Sequence, residues 1–335
     1  MIFPLEGQVT SVFRRVQESD EAKAKMGLDV DMRISRFKRS QVIVDRLKEL
    51  DLDRARIGVG DLVGTNRNDE GGVSYITMTR IKEALPKATF ESAVDLLMRV
   101  KLARGPEEIE VLRLVSRVSE LAIRAIVETA GTGVPQREVW FQVFKTLLDA
   151  SGEAPPGVSI RAGQEANTAR GRPLNEKFEA GQIIGQEISG SVLGYLSQVN
   201  HSICVGPPAP ADWDSAFKFC VDVFHSLVDW AKPGKTFKDY CELYRQKVEA
   251  RGEPYWGVVF HTGGAQGDGP RMGPTRPDEY QDLVLEPGMV FTIKPRVLIK
   301  GVAAPSAQIG DPVLITERGA ERLGRRKLET LTLGT

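Results

Sequence analysis

The chain predicts an α+β fold, and three observations carry that prediction. Its C-terminal two-thirds interleaves amphipathic helical runs with strand-like runs instead of repeating strict strand–helix–strand units. Its strand-like runs face one another across Gly-rich turns, clearest where QIIGQEIS and YLSQVNHSICV flank a Gly-Ser turn. Its first hundred residues alternate short strand patterns with longer helical ones, as a small α/β unit would.

Taken in order, FPLEGQVTSVF reads as a hairpin or edge pair and SRFKRSQVIVDRLKELDL as an amphipathic helix with apolar spacings of three and four. ARIGVG follows as a buried strand, VSYITMTRIKEALPKA as a second helix closed by Pro86, and FESAVDLLMRVKLA leads out of the unit. A long helix then begins in KLARGPEEIEVLR. Pro106 occupies its first turn, Glu107, Glu108 and Glu110 complement the positive helix N-terminus, and Gly131 and Gly133 end it. The boundary falls near Arg104, giving domains 1–103 and 104–335. Three more helices are expected in QREVWFQVFKTLLDASG, DWDSAFKFCVDVFHSLVDWAKPG and TFKDYCELYRQKVEARG, each ended by Gly. Strands fall in QIIGQEIS, GYLSQVNHSICVG, MVFTIKPRVLI and DPVLITERG.

The 335 residues carry 45 basic and 45 acidic side chains, so the net charge is zero and no electrostatic footprint for nucleic acid or an anionic membrane exists. No basic n-region with an apolar signal core follows Met1, and no uncharged apolar run reaches membrane-spanning length. Three cysteines, Cys204, Cys220 and Cys241, lack CxxC spacing and fit reduced thiols. A soluble, cytoplasmic protein is expected. There is no GxGxxG, Walker loop, HExxH or GxSxG elbow.

The segment Gly181–Gly206 places Glu, Gln and His at alternating positions of two strands, where a pocket would want them, and three later pieces are built to meet it: FHTGG at His261, EPGMVFTIKPRV at Lys294 and AQIGDPVLITERGAERL at Gly310. Their order and spacing resemble the pita-bread family of methionine aminopeptidase, aminopeptidase P, prolidase and creatinase. KLARGPEEIEVLR resembles its interdomain helix start, ARGRPLNEKFEAGQ its pocket loop, AKPGKTFKDY its helix-start turn, LEPGMVFTIKPRV its Glu-Pro strand, and GDPVLITERGAERL its closing strand and turn. The resemblance covers roughly residues 95 to 325. Residues 1 to 95 resemble the later half of the N-terminal domain of aminopeptidase P and creatinase, so that domain is expected to be shortened.

Catalytic members of the family hold two divalent ions with two Asp, one His and two Glu, because anionic oxygens must offset four positive charges and leave room for a nucleophilic water. By the resemblance those five positions fall on Glu187, Gln198, His261, Lys294 and Gly310. Three of the carboxylates are gone, and an ammonium at Lys294 would cost several kcal/mol beside a divalent ion even at an effective dielectric near 20. No metal and no other cofactor is therefore expected. Creatinase works without metal through a His in the pocket loop, a position occupied here by Arg170.

The polar set left for chemistry is Arg170, Glu187, Gln198, His201, His261, Asp268, Arg271, Lys294 and Arg296. His261 is expected to act as general base or acid oriented by Glu187, with Lys294 and arginines binding an anionic group, or with Lys294 itself as an activated amine. A blander account makes Glu187 and Lys294 a salt bridge filling the metal's space, Asp268 a turn residue, and Arg271 and Arg296 surface residues. The function expected is a metal-independent hydrolase or lyase acting on a small carboxylated or anionic molecule. The alternatives are an aminopeptidase P/prolidase-like metallopeptidase and a non-catalytic binding protein on the same fold. The resemblance also implies a homodimer.

Overall fold

The computed structural model describes residues 1–18, 20, 30–64, 71–163, 175–252, 260–262, 280–300, 302 and 307–334, and the backbone of 271–272. The chain divides into two compact units, Met1–Leu97 and Met98–Thr335.

In the first unit, β1 (Thr10–Phe13) pairs in parallel with β2 (Asp31–Ile34). The FPLEGQVTSVF stretch forms one antiparallel bridge, from Thr10 back to Ile2 just before it, but its main partner is a strand the sequence hid behind alternating charges in DMRI. Helix α1 (Arg39–Glu49) follows, then β3 (Arg56–Val59), helix α2 (Tyr75–Ala84) and β4 (Thr89–Ser92), which lies parallel to β3. Val44 and Leu47 from α1 meet Ile81 and Leu85 around a small core, with Ile57 and Phe90 from the strands packed on it.

Helix α3 (Val94–Leu102) precedes α4 (Pro106–Thr129), which starts as its sequence requires. Pro106 takes the first helical position and the Glu108 carboxylate accepts the Gly105 N–H at 2.9 Å. Helix α5 (Gln136–Ser151) ends on Gly152 in the left-handed conformation, φ 72°.

The strands β5 (Gly157–Arg161), β6 (Ile183–Val192), β7 (Tyr195–His201) and β8 (Ile203–Cys204) come next. Helices α6 (Trp213–Trp230) and α7 (Phe237–Ala250) separate them from β9 (Phe260–Thr262), β10 (Arg271–Met272), β11 (Val290–Ile293), β12 (Arg296–Val297), β13 (Ala307–Thr316) and β14 (Gly319–Arg322). Glycine caps α5 directly, but Ala231 caps α6 and Arg251 caps α7, with Gly252 one residue beyond.

These ten strands form one antiparallel sheet in the order β10-β9-β11-β13-β7-β6-β5, with β12 and β14 on β13 and β8 on β6. The α+β expectation is met. Helices α4 and α5 bury Ile123, Ile126, Val139 and Val143 against Ile184, Ile188 and Val199. Helices α6 and α7 bury Phe217, Phe224 and Tyr240 against Phe260, Phe291 and Ile293. No helix among the described residues is long and apolar enough to cross a membrane.

Candidate functional site

Strand alternation assembles the site. Phe291 and Ile293 point into the aromatic core, so Thr292 between them points the other way, and His261 pairs directly across from Thr292. On β6, Ile188 is in the core while Glu187 beside it is exposed. Gln198 lies opposite Ser189 on the neighbouring strand. Lys294 directly follows β11 with its side chain only 6% exposed, against 52% for Glu187.

Four of the expected residues form one continuous chain of hydrogen bonds. Lys294 Nζ donates to Glu187 Oε2 at 3.0 Å and to Gln198 Oε1 at 2.9 Å. An ammonium can only donate, so Gln198 must turn its oxygen to Lys294, and its Nε2 then donates to Glu187 Oε1 at 3.1 Å. The same Gln198 oxygen lies 3.1 Å from His261 Nε2, while His261 Nδ1 lies 3.0 Å from the Thr262 carbonyl oxygen. Both ring nitrogens therefore face acceptors, an arrangement that a doubly protonated imidazolium satisfies.

Two arginines stand nearby. Arg296 follows Lys294 by two residues. Burial pulls its guanidinium pKa down, and the Tyr244 hydroxyl and the Glu187 carboxylate act in the opposite sense. Arg161, which the sequence reading passed over, is on β5 with 9% exposure. Val158 and Ile160 enter the core, Ser159 pairs with Glu187, and alternation sends Arg161 to Glu187's side of the strand. The missed signal was the alternation in GVSIR itself, too short to stand out between a helix and a Gly-rich loop.

The remaining expected residues fare differently. His201 is 1% exposed and belongs to a separate network: its Nε2 lies 2.9 Å from the Glu329 carbonyl and its Nδ1 accepts from Arg326 Nε at 3.2 Å. Burial, reinforced by the Arg326 charge, pushes its pKa down to about 3, so the ring is neutral and structural. Arg326 also bonds Asp311 and Glu120. Arg271 lies in β10 with its backbone paired to His261. Arg170 and Asp268 fall outside the described residues.

The donor set at the five positions implied by the resemblance does not fit a pair of divalent cations. Glu187 is already spent on an ammonium, Gln198 offers a neutral oxygen, and Gly310 offers no side chain. Among the described residues, no group of three or more His, Cys, Asp or Glu is placed to hold a metal ion.

Fold and site together define a pita-bread protein with an N-terminal α/β unit and a rewired centre. The Metallopeptidase family M24 pattern matches residues 110–317, and the chain belongs to that family. It is 27% identical over 265 residues to an Xaa-Pro dipeptidase of Pyrococcus furiosus, spanning 78% of this chain and 74% of the relative. A second Xaa-Pro dipeptidase, from Pyrococcus horikoshii, is 23% identical over 296 residues, spanning 87% and 81%. Among solved structures, an X-Pro aminopeptidase from Thermotoga maritima superposes with a TM-score of 0.79 at 18% identity, covering 97% of this chain and 87% of that one. An Xaa-Pro dipeptidase from Bacillus anthracis gives 0.80 at 20% identity, covering 97% and 86%.

Proposed function

We propose that this chain is a hydrolase acting without metal on a small carboxylated substrate of roughly dipeptide size. The observation that carries the reading is the Lys294–Glu187–Gln198–His261 chain of hydrogen bonds, with Arg296 and Arg161 beside it. Three basic side chains around one carboxylate favour an anionic guest over a cationic one.

Glu187 is half exposed and accepts from Lys294 and Gln198, and it is the carboxylate that takes the proton from an attacking water. His261, with both nitrogens directed at acceptors, is suited to donate a proton to the leaving nitrogen as the C–N bond breaks. Lys294 and the arginines hold the substrate carboxylate. These relatives are described as dipeptidases and an aminopeptidase, which supports hydrolysis and not the lyase half of the expectation.

A panel of Xaa-Pro dipeptides and other small carboxylated amides, assayed with chelator and again with added Mn²⁺, tests this reading. Turnover that survives chelation, and that falls about 10²-fold or more in His261→Ala, is the expected result. The descriptions of the relatives favour a second reading, a prolidase-like metallopeptidase, and turnover that requires Mn²⁺ would establish it instead. Ligand-raised melting temperature without turnover would mark a binding protein. The homodimer belongs to the same proposal, and analytical ultracentrifugation checks it.

A further inference from the structure

The fifth metal-ligand position has not merely lost its side chain. Gly310 pairs across the ladder with Asn200. A Cβ built on Gly310 would fall inside contact distance of Asn200 Oδ1 and 3.0 Å from Asn200 Cβ and Cγ. The amide therefore lies along the direction a Gly310 side chain would take.

Asn200 is held firmly there. It is 0% exposed, and its Nδ2 donates to the Gln186 carbonyl at 2.5 Å. Its own carbonyl accepts from Arg326 Nη2 at 2.7 Å, and the same nitrogen reaches the Gly310 carbonyl at 3.3 Å, clamping the two strands together. Asn200 Oδ1 is buried with no hydrogen-bond partner among the described residues. An acceptor left in that condition costs stability, so the side chain is kept for the space it fills.

We propose that Gly310 and Asn200 are a matched pair in which the amide occupies the volume of the lost ligand, and that with Lys294 as a resident ammonium they close the site to divalent cations. The site then works with a fixed positive charge on the chain itself, insensitive to chelators and to metal supply. The inference rests on the metal-free part of the reading above and is independent of turnover.

Two measurements test it. Gly310→Ala lowers the melting temperature of the metal-free chain by roughly 3–10 °C, and the loss largely disappears in an Asn200→Ala background. Additive losses in the double variant would overturn the pairing. Equilibrium dialysis against Mn²⁺ or Zn²⁺ alone supplies the second readout. The unaltered chain retains no metal at micromolar free ion, and one retained equivalent would overturn the role given to Lys294. The triple change Gln198→Asp, Lys294→Glu, Gly310→Glu binds metal at least roughly ten-fold more weakly than the same set with Asn200→Ala added. Equal binding by the two would also sink the pairing. Neither readout is activity, so an inert chain would fail the functional reading and leave this one standing.

Discussion

His201 makes the fold sensitive to mild acid, and the size of the effect follows from its surroundings. The ring is 1% exposed, accepts from the Arg326 guanidinium, and has its pKa pushed from 6.5 down to about 3, first by burial and then by the Arg326 charge. The folded state therefore stays unprotonated while the unfolded state takes up a proton below pH 6.5, so stability present above 6.5 is lost as pH falls toward 3. The slope is about 1.4 kcal/mol per pH unit, or roughly 2.5 kcal/mol between pH 7.5 and 4.5. Urea unfolding across that window, for the wild type and for His201→Gln, is the assay. Gln can still accept from Arg326 and donate toward Glu329, but it does not titrate. Carboxylates held low elsewhere, such as Glu49 at about 2, cancel in the difference between the two proteins. The wild type is expected to lose about 2.5 kcal/mol more than the variant. Parallel stability curves would refute the reasoning, because they would mean that the folded ring takes up its proton as readily as the unfolded one.

Two further expectations concern packing and turns. Ser119 Oγ accepts the Gly190 N–H at 3.1 Å and lies 2.9 Å from the Ser197 carbonyl, with no exposure, so Ser119→Ala strands a buried donor and should cost about 1–3 kcal/mol in denaturant unfolding. Leu193 sits at the tip of the β6–β7 hairpin with φ 52° and 71% exposure, a left-handed conformation an apolar side chain adopts at a cost. Leu193→Asn should raise stability by up to about 1 kcal/mol, and a lower melting temperature would show that the leucine makes a contact worth more than the strain.

Legibility along the chain followed the range of the forces involved. The start of α4 was readable because Pro106 and Glu108 act within one turn of the residues they cap. The β6–β7 hairpin was readable because its runs are long, but the Gly-Ser turn expected at Gly190 and Ser191 lies inside β6, which continues to Val192. The chain turns at Leu193 and Gly194, where strand pairing and positive φ and not composition place it. β2, β5, β9 and β10 were not called as strands, being two to five residues long, too short for a period of two to be recognised, and fixed only by their neighbours in a sheet. His201 and Gln198 looked alike in sequence, two polar residues three apart on one strand. An odd separation places them on opposite faces, one beside Lys294 and the other against Arg326 and Phe217.

The sequence by itself determined the fold class and the residue types at the centre. By the resemblance, those types keep only one of the four carboxylates that hold a dinuclear metal in the family, since charge and coordination number belong to the side chain wherever it lies. Tertiary structure alone decided who meets whom. Lys294 reaches Glu187 across 107 residues, Asn200 comes to cover Gly310, and Arg161 joins the face of Glu187. Such contacts exist only once the sheet closes, because strand register and alternation, and not proximity along the chain, set which side chains share a face.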